Sequence, residues 1–289
     1  MSPQMMPAAF LGHGSPMNTL EHNKYTTAWR RFGALCQKPR AVLMISAHWY
    51  INASAVTVMP QPRTIHDFYG FPPELHRFQY PAPGLSELAE EVADLALPDR
   101  VGYDSDSWGL DHGAWSVLAH VFPEANVPVV QISINALKPF DYHMALGSRL
   151  APLRERGVVI IGSGNLVHNL RQIMWHLPDD GVAWARNFDG AARALLQTSP
   201  GSAADLQGYP DYPLAAPTPD HFIPLLTIAA LAAQSGAKLE TLVEGFAYGT
   251  ISMVSLILCR QAQVTSDEAL PSGTVIPDPS VAPADQTNI

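Results

Sequence analysis

The chain has 289 residues, 47% hydrophobic and 15% charged, an ordinary globular composition with length enough to bury a large core. Its 17 Lys+Arg against 26 Asp+Glu leave a net charge of −9 with no basic run, which argues against a nucleic-acid partner. Of the 2 cysteines, Cys36 and Cys259, both sit in apolar stretches with no Cys-x-x-Cys spacing, so neither a disulfide framework nor a thiolate zinc site is expected.

In chain order, apolar and β-branched runs predict buried strands at residues 8–11, 41–46, 55–58, 127–134 and 158–161, with further candidates at 239–243 and 250–258. Apolar residues at three- and four-residue steps predict helices over 85–97, 114–122, 142–156, 184–197 and 221–234. Strands alternating with helices imply an α/β fold, a mostly parallel central sheet with helices on both faces. The expected organisation is one domain over residues 1–264. A Pro-rich tail over 265–289 lacks apolar periodicity and is expected to be flexible.

Residues 60–84 form a long connection rich in Pro, Gly and aromatics, the kind that often serves as a lid. The N-terminus has no cationic and apolar leader, and the longest apolar stretch, near 223–233, is too short to span a bilayer. A cytoplasmic protein without a membrane partner is therefore expected.

Most of the functional signal lies in the placement of the 11 histidines. His13 directly follows the first strand, His48 the next, and His168 comes shortly after the strand at 158–161. Ligands of open α/β sheets bind outside the carboxyl ends of the strands, so these imidazoles face one crevice if their strands are neighbours. Imidazole suits zinc or Fe(II). His112 lies just before a helix and His221 at a helix start. His22, His76, His120, His143 and His176 read as surface or packing residues. His66, beside Asp67 in the aromatic loop, reads either as a substrate contact or as an ordinary loop residue.

Several strings in order carry a family resemblance. They are Gly12-His13-Gly14-Ser15-Pro16-Met17, Ser46-Ala47-His48-Trp49 and His66-Asp67-Phe68-Tyr69-Gly70-Phe71-Pro72. Further on come Tyr80-Pro81-Ala82-Pro83-Gly84, Trp108-Gly109-Leu110-Asp111-His112-Gly113, Gly164-Asn165-Leu166-Val167-His168-Asn169, Pro217-Thr218-Pro219-Asp220-His221 and Glu244-Gly245-Phe246. Together they resemble the DOPA-dioxygenase branch of the class III (LigB-type) extradiol dioxygenases, from about residue 7 to 258.

The resemblance implies one divalent metal ion per chain held by His13, His48 and His221. It makes His168 a fourth ligand in zinc-bound forms or the acid–base, and His112 an acid–base or substrate contact. Zn(2+) is the implied bound form, and Fe(2+) the form that cleaves rings. The protocatechuate-cleaving branch uses a carboxylate in place of one histidine, which leaves Asp220 or Glu244 as rival third ligands. The implied reaction inserts O2 into a catechol such as DOPA. His168 would serve as base, His112 would assist the oxygen steps, and His66, Phe68 and Tyr69 would contact the substrate. The aromatic loop either walls that pocket or closes the core. A zinc-dependent hydrolase and a non-catalytic metal-binding module are the rival readings. No Gly-x-Ser-x-Gly elbow and no nucleotide-binding glycine motif is present.

Overall fold

In the computed structural model, residues 5–259 are described. The expected tail over 265–289 lies outside them.

The apolar runs form strands. β1 (Ala8–Gly12), β5 (Val129–Asn135) and β6 (Val158–Gly164) are buried at every position, as strands covered on both faces must be. With β2 (Ala41–Ile51) they make a parallel core, ordered β5-β2-β6-β1. The full sheet has 8 strands. It adds β3 (Ala55–Thr57) and β4 (Gly102–Asp104) beyond β5, and β10 (Ser255–Leu258) and β7 (Glu240–Val243) beyond β1. The outer pairings β3–β5, β1–β10 and β10–β7 are antiparallel. Two short strands, β8 (Phe246–Ala247) and β9 (Ile251–Ser252), form a separate antiparallel pair.

Because side chains alternate along a strand, each core strand feeds two hydrophobic layers. Phe10, Leu43, Ile132 and Ile160 face the layer built by α3 (Ser86–Ala96), α5 (Phe140–Leu150), α7 (Ala183–Thr198) and α9 (Ile223–Gln234). Leu11, Met44, Val129 and Ile161 face α1 (Lys24–Leu35), α4 (His112–Val121) and the Phe68–Ala82 segment, which includes α2 (Pro73–Arg77). Helices therefore cover both faces, as the sequence implies. α9 is apolar nearly all round and is buried from Ile223 to Ala232, so it is a core helix rather than an amphipathic one.

Several elements differ from expectation for identifiable reasons. The helix expected over 142–156 is cut into α5 and α6 (Pro152–Glu155), because Pro152 has no N–H to continue the ladder. The strand expected over 250–258 breaks at Met253, whose N–H goes to the Gly245 carbonyl instead of a strand partner. β4 went unforeseen, since Gly102 and Tyr103 are exposed and supply no apolar run. β2 does not stop at residue 46. It continues to Ile51, with its register against β5 shifting between Ile45 and Tyr50. His48 thus sits in an irregular strand segment rather than after a strand.

Candidate metal centre

The parallel strands all deliver their carboxyl ends to one edge, and His13, His48, His112, His168 and His221 meet there. Each is held by a distinct local device.

His13 leaves β1 with its N–H bonded to the Gly164 carbonyl. Its Nδ1 lies 3.0 Å from Ser163 Oγ, whose own proton goes to the Gly113 carbonyl at 2.5 Å. A hydroxyl has one proton to give, so Ser163 accepts from His13 Nδ1–H, and Nε2 is bare. His221 sits just ahead of α9. Its Nδ1 donates to Asp220 Oδ2 at 2.5 Å, and its Nε2 is buried with no hydrogen-bond partner. His48 Nδ1 faces Asp67 Oδ2 at 3.3 Å, and a carboxylate can only accept, which again leaves Nε2 bare. The Nε2 atoms of His13 and His48 are 3.2 Å apart.

His112 is the first residue of α4, not a loop residue, and is fully buried. Asp111 caps that helix by accepting from the Ala114 N–H at 3.1 Å. Ser46, Gln131 and Trp108 donate to the same carboxylate, offsetting the burial and the nearby Asp67 charge that push its pKa up. The His112 backbone N–H donates to Asp67 Oδ1 at 2.9 Å. Its Nδ1 lies 3.0 Å from the same oxygen but is misaligned for a full hydrogen bond. Gly113 is required here: a Cβ would come 2.5 Å from Ser46 Oγ and 2.7 Å from His48 Cδ2. His168 is pinned by its N–H on the Ala215 carbonyl, and its ring stacks on His221 with centroids 3.5 Å apart and planes 6° apart.

Burial, then the neighbouring imidazoles, hold the His13 and His48 pKa values well below the usual histidine range. Both are neutral near pH 7, the form that binds metal. Burial alone would raise Asp67, but His112 and His48 hold it below the usual carboxylate range.

Two groupings of these rings compete as a ligand set. Nitrogens of His13, His48 and His112 all lie within 4.8 Å of one another. The ring centroids favour a different set. An imidazole nitrogen about 2.1 Å from an ion puts its ring centre about 3.2 Å away, so two ligands at a tetrahedral angle have centres about 5.2 Å apart. His13–His48, His13–His221 and His48–His221 measure 5.1, 5.3 and 5.1 Å. His48–His112 is 3.9 Å, too close for that angle.

An open cleft of about 340 Å³ adjoins the nest, a size that takes a small molecule. His48, His168 and His221 line it, with Tyr50, Leu170 and Arg171. His66, Phe68 and Tyr69 do not. His66 Nε2 donates to the Phe78 carbonyl, Tyr69 is 72% exposed, and Phe68 is buried against His112 and Trp115. The aromatic loop closes the core behind the nest. Of the rival carboxylates, Asp220 buttresses His221, and Glu244 pairs with Arg193 at 2.5 Å on the surface. His22, His76 and His176 are exposed, whereas His120 and His143 are buried away from the nest.

Sequence reasoning missed Asp67, Ser163, Tyr50 and Arg171. The first two act through histidines distant in the chain, and no local pattern marks them.

A parallel α/β sheet with imidazole nitrogens gathered at its carboxyl edge, beside an open cleft, offers the donor set of a metalloenzyme site. Residues 7–259 match the family described as the catalytic LigB subunit of aromatic ring-opening dioxygenase, and the chain belongs to that family. It is 43% identical to the 4,5-DOPA dioxygenase extradiol of Escherichia coli K12, covering 89% of this chain and 96% of that protein. It is 38% identical to the 4,5-DOPA dioxygenase extradiol of Beta vulgaris, covering 84% and 92%. The crystal structure of an uncharacterized Escherichia coli K12 protein superposes with a TM-score of 0.77 at 37% identity, over 88% of this chain and 100% of that one. Among the described residues no helix is long and apolar enough to cross a membrane.

Proposed function

We propose that this chain is an extradiol dioxygenase that opens a DOPA-like catechol at one divalent metal ion held by His13, His48 and His221. The near-equilateral triangle of their ring centres, 5.1, 5.3 and 5.1 Å on a side, carries this reading. Each of the three has its Nδ1 beside an oxygen of Ser163, Asp67 or Asp220, which leaves its Nε2 as the donor for an ion. Because His48 and His221 also line the cleft, the ion would be open to a ligand on that side.

When bound, Fe(II) supplies the meeting point for the catechol oxygens and O2 and lets electron density pass between them; Zn(II) would occupy the same donors as a resting form. The protein's own groups handle the protons. His168, on the cleft wall, takes the proton of a catechol hydroxyl. Its parallel stack on His221 suits a neighbour of the ligand set rather than the fourth ligand the family resemblance implies, since face-to-face rings cannot both aim nitrogens at one ion. His112, buried between Phe68 and His48, serves the oxygen side as acid. Phe68 and its loop exclude water from that side. Both atoms of O2 end in a ring-opened semialdehyde acid.

The test is anaerobic loading with Fe(II), then oxygen with DOPA and 4-methylcatechol. One O2 consumed per catechol, with a yellow product, is expected. No oxygen uptake with Fe(II), alongside ester or amide turnover with Zn(II), would overturn the reading in favour of a hydrolase.

A further inference from the structure

We infer that Arg171 is the specificity residue of the cleft, selecting catechols whose side chain carries a carboxylate; this rests on the ring-opening reading of the same cleft.

The argument begins with charge. The chain is acidic, at −9, so its field disfavours anionic ligands unless a cation is placed to receive them. Among the described residues, Arg40, Arg149, Arg156, Arg186 and Arg193 are each paired with a carboxylate, while Arg31 and Arg100 are exposed but line no part of the cleft. No hydrogen bond or ion pair holds Arg171 among the described residues, and it lines the cleft. A guanidinium is a planar fork that grips a carboxylate with two bonds, and a fork with no internal partner keeps both available.

Position gives the ligand its orientation. Arg171 is exposed, in a short turn at Leu170–Gln172 that follows His168 directly. His168 and His221 are buried at 7% and 5% exposure. The cleft thus runs from imidazoles at its inner end to a guanidinium at its mouth. A catechol entering ring first puts its two hydroxyls against the histidines and its side chain toward Arg171. Asp220 also lines the cleft, but its carboxylate is engaged by His221. Among the described residues the cleft therefore presents one free cation to the substituent and no free anion.

The experiment compares a carboxylate catechol, 3-(3,4-dihydroxyphenyl)propionate, with 4-ethylcatechol, which matches its ring and lacks the charge. For the Fe(II)-loaded enzyme, Arg171→Gln should lower the ratio of kcat/KM for the first over the second by about 10- to 30-fold, through KM. Arg171→Lys should recover part of that ratio, since it keeps the charge and loses the fork. A parallel fall for both substrates, with the ratio unchanged, overturns the inference. A second readout is independent of turnover: anaerobic calorimetry of both compounds on the purified protein. If no catechol is turned over, ring opening fails but binding still decides the role of Arg171. A Kd ratio that collapses in Arg171→Gln upholds it. An equal Kd for both compounds in the unaltered protein, or no binding of either, sinks it.

Discussion

The Nε2 atoms of His13 and His48 face each other across 3.2 Å, and the oxygens beside both Nδ1 atoms, Ser163 Oγ and Asp67 Oδ2, favour the tautomers that leave both Nε2 bare. Two lone pairs so placed repel unless a cation lies between them, and two nitrogens sharing a tetrahedral ion would sit about 3.3 Å apart. The Nδ1 partners make this arrangement persistent, because Ser163 and Asp67 fix which nitrogen is bare. With His221 as the third donor, His13→Ala, His48→Ala and His221→Ala should each lose the metal. His112→Ala should retain it and turn over slowly. Metal content after gel filtration, read by elemental analysis, checks this. Metal lost from His112→Ala and kept by His221→Ala would make His112 the third ligand.

Asp67 should behave as an orienting group, not a ligand. Its two oxygens go separately to His48 and to the first turn of α4 at His112. Asp67→Asn keeps the shape but sets an amide beside Nδ1–H. Outer partners of this kind are worth roughly 10- to 100-fold in metal affinity. Competition with a chromophoric chelator should show a loss of that size for Asp67→Asn. An affinity equal to that of the unaltered protein would mean Asp67 serves α4 alone.

The contrast between His13 and Asp67 shows how far the sequence could be read. His13 was legible because a parallel strand that ends in Leu11-Gly12 can only present the next residue at the carboxyl edge. His48 was found for a reason that needed revision: it reaches the nest through an irregularity inside β2, and a register shift leaves no mark in a run of apolar residues. His221 came only from family resemblance, since a histidine before an apolar helix has no pattern of its own. Asp67 and Arg171 could not be read. Their importance depends on what folds against them, or fails to, and neither is a property of neighbouring residues.

Acid should weaken the fold through two histidines outside the nest. Burial lowers the His120 and His143 pKa values to about 4, against an unfolded value near 6.5. Below pH 6.5 the unfolded chain takes up protons that the folded one refuses, so stability falls with pH until about pH 4, where the folded state begins to take them too. Each contributes a loss on the order of 2 kcal/mol by pH 5. Urea denaturation of metal-free protein at pH 7 and pH 5 should show a smaller drop for His143→Gln than for the unaltered chain. Equal drops would mean His143 is protonated at no cost in the fold.

Gly113 is the position where fold and metal centre constrain each other most tightly. It is the second residue of α4, it accepts the Ser163 hydroxyl that sets the His13 tautomer, and it packs against the His48 ring. Gly113→Ala favours the helix by roughly 0.5–1 kcal/mol in isolation. Against that, a Cβ 2.5 Å from Ser46 Oγ and 2.7 Å from His48 Cδ2 must move one or both, an overpacking cost of about 1–3 kcal/mol. The clash should win. His48 is the softer neighbour, because its strand segment is already irregular, whereas Ser46 is bonded to Asp111, the cap of α4. Displacing the His48 ring breaks its match to His13, so Gly113→Ala should lower metal affinity more than it lowers the melting temperature of the chelated protein. If helix propensity prevails instead, the chelated protein melts higher and metal affinity is unchanged, and the imidazoles are then held less rigidly than this packing requires.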